Sequence, residues 1–223
     1  AVEAFLIEVK SKMKTFTSEK ERYEWLIEHH YYENFFKWYH IEEIVMIKEK
    51  VFSYQFKFQS FMAVSKFYKD YALKTNDHQY YLEYYEDRIV AVALYLAQGD
   101  VNKAFEFAIA MIEQRYQPAT PTFLNAGKAR RGEMVSCFLL EMDDSLNSIT
   151  YNLNTSMQLS KIGGGVALNL SKLRARNESI KEIENAASGV LPVMKLLEDS
   201  FSYVNQLGQR PGAGAAYLNV FHW

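Results

Sequence analysis

Gln117-Pro118-Ala119-Thr120-Pro121-Thr122, then Val135-Ser136-Cys137-Phe138-Leu139-Leu140, then Gly163-Gly164-Gly165: the reading of this stretch, residues 117–165, decides the fold. The first piece is a hydroxyl-rich proline turn. The second is an apolar run that carries the only cysteine, and the third is a triple glycine. Residues 134–141 are short, continuous and apolar, as a buried strand is. Asp144 and Ser145 then open a helix carrying Leu146, Ile149, Leu153 and Met157, the glycines end it, and 166–170 is a second strand. Small donors and bare backbone suit a phosphate, and a thiol at a strand end suits redox or radical chemistry.

Downstream the same architecture repeats. A polar loop, 171–185, carries Lys172, Arg174, Arg176 and Lys181. A helix over 188–207 places Val193, Leu197, Phe201 and Val204 on one face, a glycine-rich loop covers 208–214, and a third strand covers 215–222. Strand–helix–strand–helix–strand predicts parallel strands joined by right-handed crossovers. Two helices cannot cover both faces and both edges of such a sheet. The α/β part is therefore expected to be incomplete as given, with further strands coming from other sequence.

Upstream, residues 1–116 read as helices. Ala4, Phe5, Ile7 and Val9 open an amphipathic segment, and Ser18 with Glu21 fits a capping box. Residues 31–67 are dense in Tyr, Phe and Trp and read as two or three short helices broken near Ser53 and Gln59. Asn76 and Asp77 are the expected cap of a helix whose stripe is Tyr81, Tyr85, Ile89, Val92 and Leu96. Gly99 stops it, and Asp100 starts the next helix, with Val101, Ala104, Phe105, Ala108 and Ile112 inward. The aromatic surplus reads as helical core rather than as a cofactor or stacking site.

Composition narrows the function classes. In 223 residues, 49% are apolar and the net charge is −2, so a sizeable core can form and no electrostatic footprint for nucleic acid or an anionic membrane exists. Apolar runs such as 89–97 are too short to span a bilayer. The first residues include Glu3 and Glu8 and carry no signal-peptide pattern. One cysteine makes no internal disulfide framework, so the cytoplasm is the expected compartment. The chain begins at Ala1 rather than Met, and residues are expected ahead of it.

The individual candidates each have a plainer reading. Cys137 alone is an inert core residue or a reactive thiol; Ser136 beside it, with the Thr120 turn and Gly165 near it in the expected fold, favours the second. The triple glycine lacks dinucleotide-fold and P-loop spacing and is otherwise a helix stop. The basic loop is solvated, or is an anion site if a helix end joins it. The five histidines show no metal spacing with Cys137, and neither Glu42/Glu43 nor Asp143/Asp144 is a separated pair for acid–base work.

The ordered series of motifs resembles the large, alpha subunit of ribonucleotide reductase, class Ib type. The series is the 117–127 segment from Gln117 to Gly127, Val135 to Leu140, Asp144-Ser145-Leu146, Gln158 to Gly165, Gly189 to Tyr203, and Gly212 to Leu218. Any one piece is weak, but the series is specific. The resemblance implies a helical N-terminal domain, 1–116, and the first strands of a ten-stranded α/β barrel over 117–223. It implies that Thr120, Ser136, Cys137 and Gly165 line the site of a ribonucleoside diphosphate. Cys137 is then one of two cysteines that supply reducing equivalents and end as a disulfide. Asp144 and Arg174 are then contacts of an allosteric dNTP or ATP at a dimer interface, with 172–181 and 208–214 as the two specificity loops. Pro211 stands in the second loop, where the family pattern often has a polar residue.

The remaining family machinery lies outside these residues. The resemblance implies completion by the C-terminal part of the alpha subunit, an alpha homodimer, a radical-generating dimetal beta subunit and a thioredoxin- or glutaredoxin-like reductant, with no cofactor or metal held by this chain. The chain is expected to be the N-terminal piece of a catalytic subunit, inactive alone. The competing readings are a nucleotide-binding regulator that kept the effector site without the chemistry, and a helical interaction module with an incidental α/β tail.

Overall fold

The computed structural model describes residues 1–204 and 212–222. It forms two compact units, Ala1–Arg131 and Gly132–Trp223. Residues 117–131, grouped by the sequence with the α/β part, belong to the helical unit.

The first unit is helical: α1 Val2–Ser11, α2 Glu19–Glu28, α3 Ile41–Phe52, α4 Phe61–Lys66, α5 Tyr85–Ala97, α6 Val101–Ile112 and α7 Thr120–Asn125. Ser18 caps α2 by accepting from Glu21 N at 3.1 Å, a bond typically worth about 1 kcal/mol. Glu21 does not close the expected box on Ser18; its carboxylate reaches Thr17 N at 2.7 Å instead. The breaks expected near Ser53 and Gln59 are present, at the end of α3 and at Ser60, which caps α4 through Ala63 N at 3.1 Å. Residues 117–122, expected as a proline turn, instead lead into α7, with Pro121 in the first turn where its missing N–H costs nothing.

α5 is the centre of this unit, and two expectations about it need correction. It begins at Tyr85, not after Asn76-Asp77. Asp77 accepts from Thr75 Oγ1 at 2.5 Å and Gln79 N at 3.1 Å, closing a turn that Thr75 N seals on Tyr80 O at 2.9 Å. A short acidic side chain serves a turn as well as a helix start. Nor is there a single stripe, because Ile89 through Leu94 are all fully buried, the mark of a helix packed on every side. The surplus rings pack on one another: Tyr85 lies 4.5 Å from Phe56, 5.3 Å from Phe58 and 5.1 Å from Phe67 between centroids.

The second unit holds a parallel sheet in the order β1-β2-β3, with β1 Cys137–Glu141, β2 Gly165–Asn169 and β3 Gly214–Tyr217. The connections are α8 Leu146–Lys161 and α9 Val190–Tyr203, so the strand–helix alternation is as expected. Ser145 caps α8 by accepting from Ser148 N at 3.1 Å. Both helices cover one sheet face. Val166 and Leu168 of β2 share a core with Leu140 of β1, Ile149 and Leu153 of α8, and Leu197 and Phe201 of α9. The opposite face is open, and there Leu139 is 79% exposed. β1 is therefore not the buried strand that its apolar run suggests: it is an edge strand with alternate residues in water. A run apolar on both sides fits a strand covered on both sides, and only the α8–α9 side is covered here.

Candidate functional site

Three groups of predicted residues can be located. The first is on the open sheet face. Cys137 and Gly165 are register partners at the first positions of β1 and β2, and Gly165 N donates to Ser136 O at 2.9 Å. Parallel pairing puts the two on the same face, and burial alternation puts Cys137 on the uncovered one, where the thiol is exposed. A Cβ on Gly165 would lie 3.6 Å from Ser136 O, ordinary contact, so backbone packing does not demand a glycine there. Its lack of a side chain instead leaves the space beside Cys137 open. Gly164 differs, since a Cβ there would overlap the Phe138 ring.

The second group lies past the other ends of the same strands. Asp144 Oδ2 accepts from Arg174 Nε at 2.6 Å, its Oδ1 accepts from Arg174 N at 3.3 Å, and Arg174 Nη1 donates to Ser179 O at 2.8 Å. One carboxylate thus ties the start of α8 to the loop after β2. Lys172 joins the arrangement through Asp143 at 3.0 Å and Glu141 at 3.3 Å. The hydrogen bonds that its ammonium donates to Asp143 and Glu141 hold it above the usual lysine range. The loop itself is ordered by hydrogen bonds. Ile180 and Ile183 exchange both backbone bonds at 3.0 Å, and Asn177 N donates to Ala187 O at 3.0 Å. Gly189, at φ +78°, lets the chain turn into α9 where a Cβ would press within 2.9 Å of Arg176 N. The two groups sit at opposite ends of the sheet, separated by four residues of strand rise, about 13 Å. Residues 205–211, which include the first part of the second glycine-rich loop with Arg210 and Pro211, lie outside the described residues.

Thr120 belongs to the helical unit, at the first position of α7. Its Oγ1 accepts from Tyr71 OH at 3.4 Å. Behind it is an array of buried charge absent from the sequence reading. Arg88, fully buried, meets Glu83 at 3.1 Å and donates to Ala126 O. Glu83 also accepts from Tyr32 OH at 2.7 Å and Leu73 N at 2.9 Å. Asp87 meets Lys48 at 2.8 Å and Arg22 at 3.7 Å. Burial pushes the Asp87 carboxyl up, but Arg22 and Lys48 outweigh it and hold the group below its ordinary value. Lys128, 5% exposed, donates to Tyr71 O at 3.0 Å. Burial, helped by Arg88, pushes its ammonium down to about 7. The sequence signal for this array was Asp87-Arg88 standing in the first turn of an otherwise apolar helix.

Among the described residues no cluster of His, Cys, Asp and Glu could hold a metal ion, and no helix is long and apolar enough to cross a membrane.

Comparison with known families matches nearly the whole chain in three consecutive pieces. Residues 1–56 match the family described as ribonucleotide reductase N-terminal, 57–131 the ribonucleotide reductase all-alpha domain, and 135–223 the ribonucleotide reductase barrel domain. Among curated proteins, the chain is 54% identical over 224 residues to the ribonucleoside-diphosphate reductase subunit alpha of Bacillus subtilis, covering all of this chain and 32% of that protein. It is 53% identical to the subunit alpha of Mycoplasma pneumoniae, over all of this chain and 31% of that protein. The large subunit of variola virus is 33% identical over 180 residues, 80% of this chain and 22% of that protein. The chain thus spans about a third or less of the length of these relatives. It belongs to the ribonucleotide reductase family and corresponds to the N-terminal region of the large subunit, with the all-helical part followed by the first parallel strands of the barrel domain.

Proposed function

We propose that this chain supplies the N-terminal part of the catalytic subunit of a class Ib ribonucleoside-diphosphate reductase, which converts ribonucleoside diphosphates to deoxyribonucleoside diphosphates. The observation that carries the reading is the pairing of Cys137 with Gly165 on the uncovered sheet face. In a ten-stranded barrel the helices lie outside. The face that α8 and α9 leave bare then becomes the interior, with the thiol facing a substrate. Gly165 leaves room for the ribose and diphosphate beside it, with Ser136 contributing a hydroxyl donor; the family resemblance gives Thr120 as a further phosphate contact.

Cys137 acts in the reduction. Two thiols give up two electrons and two protons, the 2′-hydroxyl of the ribose leaves as water, a C–H bond takes its place, and the sulfurs close a disulfide. This chain has one cysteine, so the second thiol comes from outside its 223 residues. The radical that starts the reaction comes from a dimetal beta subunit, and a thioredoxin- or glutaredoxin-like protein restores the dithiol. Asp144 and Arg174 serve a dNTP or ATP effector at an alpha–alpha interface. The acid suits a ribose hydroxyl and the guanidinium suits phosphate.

The test is turnover in the completed subunit, supplied with its beta subunit and a dithiol reductant. Sustained reduction of a ribonucleoside diphosphate that Cys137→Ser abolishes supports the proposal. Parental turnover by Cys137→Ser contradicts it and reduces the thiol to a packing role.

A further inference from the structure

The helical path continues past the end of α4 at Lys66. It runs on into a π-helical turn, Phe67–Tyr71, a rare geometry that concentrates at functional positions. The last residue of that turn, Tyr71, is held at two points. Its carbonyl accepts from the buried Nζ of Lys128 at 3.0 Å, and its hydroxyl donates to Thr120 Oγ1 at 3.4 Å. Its ring also packs against Phe123 of α7, with centroids 5.9 Å apart. The Lys128 end is itself fixed. Gly127, at φ +80°, leaves no room for a Cβ between the Phe35 ring at 2.8 Å and Ala91 O at 3.0 Å. On either side of Lys128, Glu33 N donates to Gly127 O at 2.9 Å and Ala129 N to Tyr31 O at 3.0 Å.

Of the two hydroxyls the phenol is the more acidic and so the better donor, which makes Thr120 Oγ1 the acceptor of the pair. A threonine hydroxyl has one proton and two acceptor lone pairs. Tyr71 occupies an acceptor position, which leaves the threonine proton to be donated onward. A donor is what a phosphate oxygen requires. The distance is long for a hydroxyl pair, as such bonds often are before ligand binds.

We infer that Tyr71 is a positioning residue for substrate recognition: its hydroxyl orients Thr120 as a donor to the diphosphate of the substrate, and Lys128 anchors Tyr71 through its carbonyl. This rests on the reading of Thr120 as a phosphate contact.

The experiment uses the completed enzyme with its beta subunit and measures KM and kcat for a ribonucleoside diphosphate in Thr120→Val, Tyr71→Phe and the double variant. Thermal unfolding is followed in parallel. Loss of a hydrogen bond to a charged group predicts a KM rise of about tenfold or more for Thr120→Val. Tyr71→Phe keeps the ring and its packing and is expected to raise KM several-fold, with a smaller change in kcat and an unchanged unfolding temperature. The double variant is expected to be no worse than Thr120→Val, because Tyr71 acts through that hydroxyl. If Thr120→Val leaves KM unchanged, the phosphate assignment falls and this inference with it. If Thr120→Val raises KM but Tyr71→Phe does not, or if the two effects add, the role of Tyr71 is overturned while the phosphate assignment stands.

Discussion

Cys137 and Gly165 occupy the paired first positions of two neighbouring parallel strands, on the face that α8 and α9 leave bare. The pairing makes Gly165 the only side chain position directly beside the thiol on β2, and it is empty. Adding a methyl there meets no backbone obstacle, since the nearest atom would be Ser136 O at 3.6 Å.

Gly165→Ala is therefore expected to fold with a parental unfolding temperature and to raise KM for a ribonucleoside diphosphate by about tenfold or more, the scale of one misplaced methyl in a fitted pocket. Gly164→Ala is the contrast. Its methyl overlaps the Phe138 ring, so it is expected to lose about 1–3 kcal/mol of stability, read by denaturant unfolding. Equal behaviour of the two variants in both assays would remove the distinction between a spatial and a packing role.

Asp144 and Arg174 are tied to each other, so each substitution removes one proposed effector contact and frees the other residue from its position. Asp144→Ala and Arg174→Ala are each expected to weaken dTTP binding by about tenfold or more, measured by equilibrium dialysis on the completed subunit. Parental affinity in both variants would withdraw the effector assignment.

Lys128 gives a pH dependence with a definite sign. Its folded pKa is depressed to about 7 from the ordinary 10.5, so between these values the unfolded chain binds more protons than the folded one. Stability then rises with pH across that window, by on the order of 1 kcal/mol per pH unit. In Lys128→Met that contribution is gone. From about pH 6 to about pH 9 the parent is expected to gain stability relative to the variant. Parallel pH profiles for the two proteins would show that Lys128 titrates normally.

The sequence carried the order of elements in the second unit because each boundary there has a local chemical cause: Ser145 at the start of α8, the glycines after it, Gly189 before α9. Ser18 worked the same way in the first unit. What failed depended on partners distant in sequence. Asp77 resembles a cap, yet the turn around Thr75 takes its oxygen. The run around Phe138 is apolar on both sides, yet only one side is covered here. That Gly165 comes near Cys137 was legible from the strand–helix–strand pattern, but its place as the first residue of β2, in register with Cys137, was not, because the glycine run reads as a helix stop. The contact of Tyr71 with Thr120, and the burial of Lys128, were not, because they join positions separated by 49 and 57 residues and leave no periodic trace.

The most direct test of the whole account is the fate of the Cys137 sulfur in a single turnover. The completed subunit, pre-reduced and freed of small thiols, is given its beta subunit and one equivalent of ribonucleoside diphosphate. It is then digested without reduction and its peptides are mapped by mass spectrometry. The account predicts one deoxyribonucleoside diphosphate formed per new disulfide, with Cys137 in that disulfide alongside a cysteine from beyond this chain. Product formed while Cys137 stays a free thiol would contradict it.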